Sequence, residues 1–223
     1  MTKSQKRTEN IKKLCCMAML VAIAIVADFF IRVPVQFLTY EPSDVVVTIG
    51  AFIFGPVAGI IMALVVCLVE LLTISDTGII GFLMNFLASG VFVGVSSIFY
   101  FKKKNLSRAI IGLVAGSLSM VVIMLLWNYI LTPIYTGMPR EAVLELFIPL
   151  LIPFSFLKVA LNSALVLMLY KGIVTALRKS RLIPTRESAD DHNFKMNTII
   201  LISVSALIVA TLILVLLIFA GII

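Results

Sequence analysis

The sequence predicts an all-α, polytopic membrane protein: a six-helix bundle followed by one additional C-terminal transmembrane helix. Three observations carry this. The 223 residues are 61% hydrophobic and only 13% charged, with a mean hydropathy of +1.17, against about half apolar and a quarter charged in ordinary soluble domains. The apolar residues fall in runs, most of them long enough for the roughly 20 residues a membrane helix needs, and the chain has room for about six or seven of these. The cations sit at the ends of those runs, where they read as topology signals rather than as a nucleic-acid surface.

The runs cover 14–31, 45–54, 57–74, 79–101, 109–135, 146–176 and 198–223. The first lacks a small-residue cleavage site and reads as a span, not a signal peptide. The second is short, and Gly55-Pro56 punctuates it as a tight turn between two helices. Short or broken apolar segments often border a binding site. The last run is nearly pure Ile, Leu, Val and Ala, with little to hold a solute, and reads as a helix appended outside the main bundle. The expected organisation is a membrane domain over 1–177, a polar cytoplasmic linker over 178–197 and the extra helix over 198–223.

Fifteen of the eighteen basic residues lie in three groups: Lys3 to Lys13, Lys102 to Arg108, and Lys171 to Lys195. Seven spans put all three on one side, and the positive-inside rule makes that side, with the N-terminus, cytoplasmic. The pattern is self-consistent only if 45–54 crosses. The expected location is the cell membrane, as a multi-pass protein in contact with the lipid bilayer.

Lys158 is the residue that points to function. It lies in an otherwise almost wholly apolar run, where a charge is costly unless it is paired or wetted; the alternative is snorkelling to a membrane face. Ser155 and Asn162 share its helix face by spacing. Three polar residues on one face of a long apolar helix favour a cavity over lipid. Asn85 and Asn128 can donate and accept hydrogen bonds to a heteroaromatic ring, or bond between helices. Trp127, Tyr129, Tyr135 and Phe154 offer either stacking surfaces or an interfacial belt.

The loop after the first span, from Arg32 to Asp44, holds two prolines and several apolar residues. It fits either a lid that packs down or a plain connector. Asp44 is expected to cap the second helix, with ligand contact the alternative. Glu70 fits a counter-ion for Lys158 or an interfacial site, and Asp28 fits an interfacial site. Cys15, Cys16 and Cys67 lack metal-site spacing and read as lipid-facing, with acylation the alternative for Cys15 and Cys16 beside the basic N-terminus. Ala18 and Ala22 form a small-residue pair that lets another helix approach closely, as do Gly90 and Gly94. There is no P-loop. The single histidine, His192, lies in the linker, so a membrane-embedded Ser–His dyad or H-E-x-x-H site has no histidine. The chain is not expected to be an enzyme, nor to hold a metal or cofactor.

Five segments in order then resemble a known family. They are Phe37-Leu38-Thr39-Tyr40-Glu41-Pro42-Ser43-Asp44; Phe54-Gly55-Pro56-Val57-Ala58-Gly59-Ile60; Asn85-Phe86-Leu87-Ala88; Asn128-Tyr129 with Pro133-Ile134-Tyr135; and Ile152-Pro153-Phe154 with Lys158. Over roughly 14–177 the chain resembles a substrate-binding (S) component of an energy-coupling factor (ECF) transporter, most closely the riboflavin-specific kind. The resemblance implies a bundle that binds a vitamin near its outer face beneath the first loop. Leu38 and Thr39 would then lie in the lid, with Asn85, Asn128 and Lys158 as polar contacts; Ser155 and Asn162, by their helix face, and Tyr135, as a stacking surface, complete the expected substrate site. Ala18 and Ala22 would dock on the transmembrane coupling subunit, which works with two ATPase subunits. Ser155 stands where riboflavin-type sequences often place asparagine, and Glu70 and the seventh helix depart from the pattern. The alternatives are an S component for pantothenate or folate, or a stand-alone proton-coupled carrier.

Overall fold

The computed structural model describes residues 3–35, 38–74, 78–102, 104–137 and 139–179, and near the C-terminus 206, 208–213, 215 and 218. Its elements are α1 (Lys3–Ile31), the strands β1 (Val33–Val35) and β2 (Leu38–Tyr40), α2 (Ser43–Phe54), α3 (Pro56–Thr73), α4 (Gly78–Lys102), α5 (Leu106–Thr136), α6 (Arg140–Glu145), a π-helical turn over Phe147–Leu151, and α7 (Ile152–Lys179). Five of the helices are long and apolar enough to cross a membrane. Their outer faces carry exposed Phe30, Leu72 and Ile148, the surface expected against acyl chains rather than water.

The second apolar run departs from expectation. The helix α2 has twelve residues, a rise of about 18 Å, against roughly 30 Å of hydrocarbon. It is apolar on all sides because it is enclosed on all sides. Ser43 through Phe52 are all buried, among α1, α3, α4 and α7. It is therefore an inner helix, too short to span the hydrocarbon on its own length, yet it carries the chain from Asp28 at one end of the bundle to the Phe101 ring at the other, where Gly55 lies. Gly55 ends it with φ +103°, a backbone state open mainly to glycine, and Pro56 starts α3 at once with its fixed φ.

The all-α expectation holds apart from one hairpin. The segment 33–40 pairs antiparallel, Val33 with Tyr40 and Val35 with Leu38. Asn105 caps α5, its side chain accepting from the Arg108 N–H at 3.0 Å. Elsewhere α4 and α5 pack closely along their length. Phe52 stacks on Tyr100 with ring centroids 4.4 Å apart, and Tyr170 closes this cluster edge-on.

Cys15 is exposed, but Cys16 and Cys67 are buried. They face the bundle and not the lipid, since a small thiol packs well in a core. Of the expected C-terminal helix, 208–213 is helical. There Val209 is buried and joins the core, with Leu212 packed beside it, so this turn touches the bundle instead of standing apart. Most of 198–223, and all of the linker beyond 179, lies outside the described residues.

Candidate functional site

Three positions on α7 define the site. Ser155, Lys158 and Asn162 are exposed by only 1%, 2% and 0%, so the shared face read from their spacing points inward. Lys158 does not snorkel. Its Nζ donates to the Thr39 carbonyl and to Glu41 Oε2, both at 3.3 Å. The cation of α7 thus meets the hairpin and the residue that follows it. The loop packs down onto the bundle over Lys158 rather than standing away from it.

Glu41 is the residue the sequence reading passed over as a partner. Besides Lys158, its Oε1 accepts from Asn85 Nδ2 at 2.7 Å, and Arg32 lies 3.7 Å away. Arg32 also donates to the Ile74 carbonyl at 2.6 Å, pinning the start of the lid to the end of α3. One carboxylate therefore ties the lid to α4 and α7. The signal was present in principle: a buried lysine demands a counter-ion, and Glu41 sits in the loop expected to cover it. Glu70, weighed for that role, is not the partner.

Asp44 also differs from expectation. The N-cap of α2 is Pro42, with no side-chain cap. Asp44 lies inside the first turn, 2% exposed, and its Oδ2 accepts from Asn162 Nδ2 at 3.1 Å. Asp28 and Glu70 are not interfacial either. They are exposed by 0% and 7%, and Asp28 Oδ1 accepts the Ser43 N–H at 2.8 Å. Spacing could not show this, because the hairpin folds the outer end of the bundle beneath itself. Tyr40 is buried in the same place. Burial, with the carboxyls of Asp44 and Asp28 near it, pushes its phenol up and keeps it neutral.

The other expected residues divide. Leu38 is buried and Thr39 half-buried in the lid, and Asn85 reaches the cluster through Glu41. Asn128 is buried but satisfied within its own helix: it donates to the Met124 carbonyl at 2.8 Å and accepts from Thr132 at 3.1 Å. Phe154 is fully buried, while Tyr129 is 38% exposed and faces outward. Tyr135 lies in α5, and its side chain is outside the described ones. Ala18 and Ala22 are exposed on α1, available to a partner helix.

The chemistry this arrangement offers is hydrogen bonding and ion pairing. The Lys158 ammonium, the Asn85 and Asn162 carboxamides and the Thr39 carbonyl gather with Glu41 and Asp44 beneath the hairpin. Such sites fix small molecules by a few placed polar groups within an apolar enclosure. A separate crevice of about 290 Å³ between α5 and α7 is lined by Val114, Leu118, Phe156 and Ala160 among others. It lies on the opposite face of α7 from Lys158 by helical periodicity, and its apolar lining suits lipid.

Comparisons with known proteins converge on one family. The family model described as "ECF transporter, substrate-specific component" matches residues 12–170. The chain is 32% identical over 179 residues to the "Riboflavin transporter RibU" of Staphylococcus aureus (strain TCH60), covering 75% of this chain and 93% of that protein. It is 33% identical over 135 residues to the "Riboflavin transporter FmnP" of Bacillus subtilis (strain 168), covering 57% of this chain and 70% of that protein. A solved structure described as "Structure and mechanism of the S component of a bacterial ECF transporter" superposes with a TM-score of 0.64 at 33% identity, covering 76% of this chain and 99% of that one. With its lid, its buried lysine and a family match across most of its length, the chain belongs to the substrate-specific components of ECF transporters.

Proposed function

We propose that the chain captures riboflavin, or a close flavin, at the outer face of the cell membrane and delivers it through a separate energising module. The observation that carries this is Lys158, buried and bonded to the lid rather than to a headgroup. That arrangement offers a flavin's polar edge a cation and amides, and offers its rings an apolar enclosure. The two relatives named as riboflavin transporters favour flavin over other vitamins.

In this reading Leu38 and Thr39 close over the ligand. Asn85, Asn128, Ser155, Lys158 and Asn162, with Tyr135, line its place, and Glu41 and Asp44 hold the polar groups in position. The N-terminus and the basic loops face the cytoplasm. Ala18 and Ala22 dock on the transmembrane coupling subunit, which two ATPase subunits drive. The experiment is direct. Purified protein is expected to carry a yellow chromophore with flavin absorbance and to quench added riboflavin fluorescence stoichiometrically. Colourless protein that binds pantothenate or folate and leaves riboflavin fluorescence unchanged overturns the flavin assignment.

A further inference from the structure

Asp28 on α1 and Glu70 on α3 are buried acids that the Lys158–Glu41 contact does not use. Their carboxyls face each other within hydrogen-bonding reach. Asp28 Oδ1 is occupied by the Ser43 N–H. Asp28 Oδ2 and Glu70 Oε1 are buried and receive no N–H or hydroxyl donor among the described residues. Two ionised carboxylates in contact inside a low-dielectric bundle repel strongly, and such pairs hold one proton between them. A proton shared there relieves the repulsion between the two buried carboxyls and turns one of them into a donor. Asp28 is the better site for the charge, because it accepts from the first residue of α2 and faces the positive end of that helix.

We infer that Glu70 is a protonated donor that positions Asp28, and that Asp28 in turn anchors the start of α2 and so seats the lid. The inference rests on the reading of the hairpin as a lid over a ligand. The groups facing the pair come from every neighbouring element: Tyr40 and Glu41 from the hairpin side, Ser43 and Asp44 on α2, Cys67 on α3, Arg32 after α1, Asn85 on α4 and Lys158 on α7. Three of these are carboxyls or a phenol that add no positive charge. Of the two cations, Lys158 is already committed to Glu41 and the Thr39 carbonyl, and Arg32 to Glu41 and the Ile74 carbonyl. A resident metal does not fit, since no group of three or more acid, histidine or cysteine ligands gathers among the described residues. Beside Glu70, a polar crevice of about 20 Å³ is lined by Arg32, Gly81, Phe82 and Asn85 among others. That is room for about one water, enough to pass the proton. The sign follows directly. The seated lid holds one more proton than the unseated lid, so seating is favoured at lower pH and weakens as rising pH removes the shared proton.

The test uses the full chain in lipid nanodiscs. Infrared spectra are expected to show a protonated-carboxyl C=O band that Glu70→Gln removes; its absence from the wild-type protein overturns the proposal whatever the ligand. Riboflavin affinity of Glu70→Gln should stay within about three-fold of wild type, because the carboxamide still donates to Asp28. Glu70→Leu should lose about ten-fold or more, the value of one hydrogen bond to a buried charge. The wild-type affinity should fall with rising pH and that of Glu70→Gln should not. Equal losses in the two variants, or the same pH profile, overturn the positioning role. If riboflavin is not the ligand, faster hydrogen exchange at the Ser43 amide in Glu70→Leu than in Glu70→Gln is the expected readout of lid seating, and equal exchange rejects it. If Glu70→Leu fails to fold, the infrared band and the Glu70→Gln pH profile still decide.

Discussion

Lys158 Nζ and Glu41 Oε2 lie 3.3 Å apart although 117 residues separate them in sequence. The pair joins the rigid core of α7 to the residue at the exit of a small hairpin, and both side chains are almost fully buried. Withdrawing two charges from water costs several kcal/mol each, so such a pair is weak evidence of stability for its own sake. Its value lies in holding one arrangement of the hairpin against α7.

Removing one partner separates these effects. Glu41→Gln leaves the Lys158 ammonium buried without its nearest counter-ion and is expected to cost about 3 kcal/mol or more. Thermal unfolding in detergent should then shift down by roughly 6–12 °C. Lys158→Met costs less, because Glu41 keeps Asn85 and Arg32 and the methionine fills the space. The double variant should be more stable than the sum of the two losses predicts, by at least about 1.5 kcal/mol. Strict additivity shows that the two side chains are not coupled.

Asn162 supports the second buried carboxylate. Its Nδ2 donates to Asp44, a bond to a charged acceptor and worth about 1.5–3 kcal/mol. Asn162→Leu should lose about that much stability and weaken riboflavin binding by ten-fold or more. Asn162→Asp, close in shape, should be worse still near neutral pH, because it sets a second carboxylate against Asp44. It should recover toward wild type on acidification, as protonation restores a donor. Titration calorimetry beside thermal unfolding across pH checks the order; an Asn162→Asp protein that is indifferent to pH contradicts it.

How much of this was legible in the sequence depends on the range of the interaction. Helix positions came from apolar runs, and the inward stripe of Ser155, Lys158 and Asn162 came from local periodicity. Asp44 reads locally as a helix cap and Glu41 as part of a connector. Asp28 and Glu70 lie near the outer ends of spans, where depth alone allows an interface, yet the outer end of the bundle encloses all four. That enclosure rests on contacts more than a hundred residues apart in the case of Lys158 and Asn162, which no window reports. The short helix α2 misled similarly, since enclosure by protein and enclosure by lipid leave the same apolar signature.

The seam between α4 and α5 gives a prediction about the scaffold alone. A Cβ placed on Gly116 would meet Ser96 Oγ and come within 2.8 Å of the Phe92 carbonyl oxygen. Small residues let membrane helices approach to backbone contact, where packing drives association. Gly116→Ala must push the two helices apart and is expected to destabilise by about 1–3 kcal/mol. Gly172→Ala, with nothing within 4 Å of its Cβ position, should be neutral or slightly stabilising through helix propensity. Equal unfolding temperatures for both variants would contradict the packing argument.

Docking through Ala18 and Ala22, as proposed above, predicts that binding and transport separate at the exposed face of α1. Ala18 and Ala22 are exposed, whereas Ala24 on the other side of the same helix is 0% exposed and sits in the core. Ala18→Leu with Ala22→Leu should change unfolding by no more than about 0.5 kcal/mol and leave riboflavin affinity intact, since neither position approaches the lid. It should nonetheless abolish co-purification with the coupling subunit and stop uptake in cells, because two added side chains hold the partner helix off the small-residue face. Ala24→Leu should do the reverse in order of cause: it overpacks the core, costs about 1–3 kcal/mol, and lowers binding and uptake together. Full uptake by the Ala18→Leu, Ala22→Leu protein would move the docking surface away from α1.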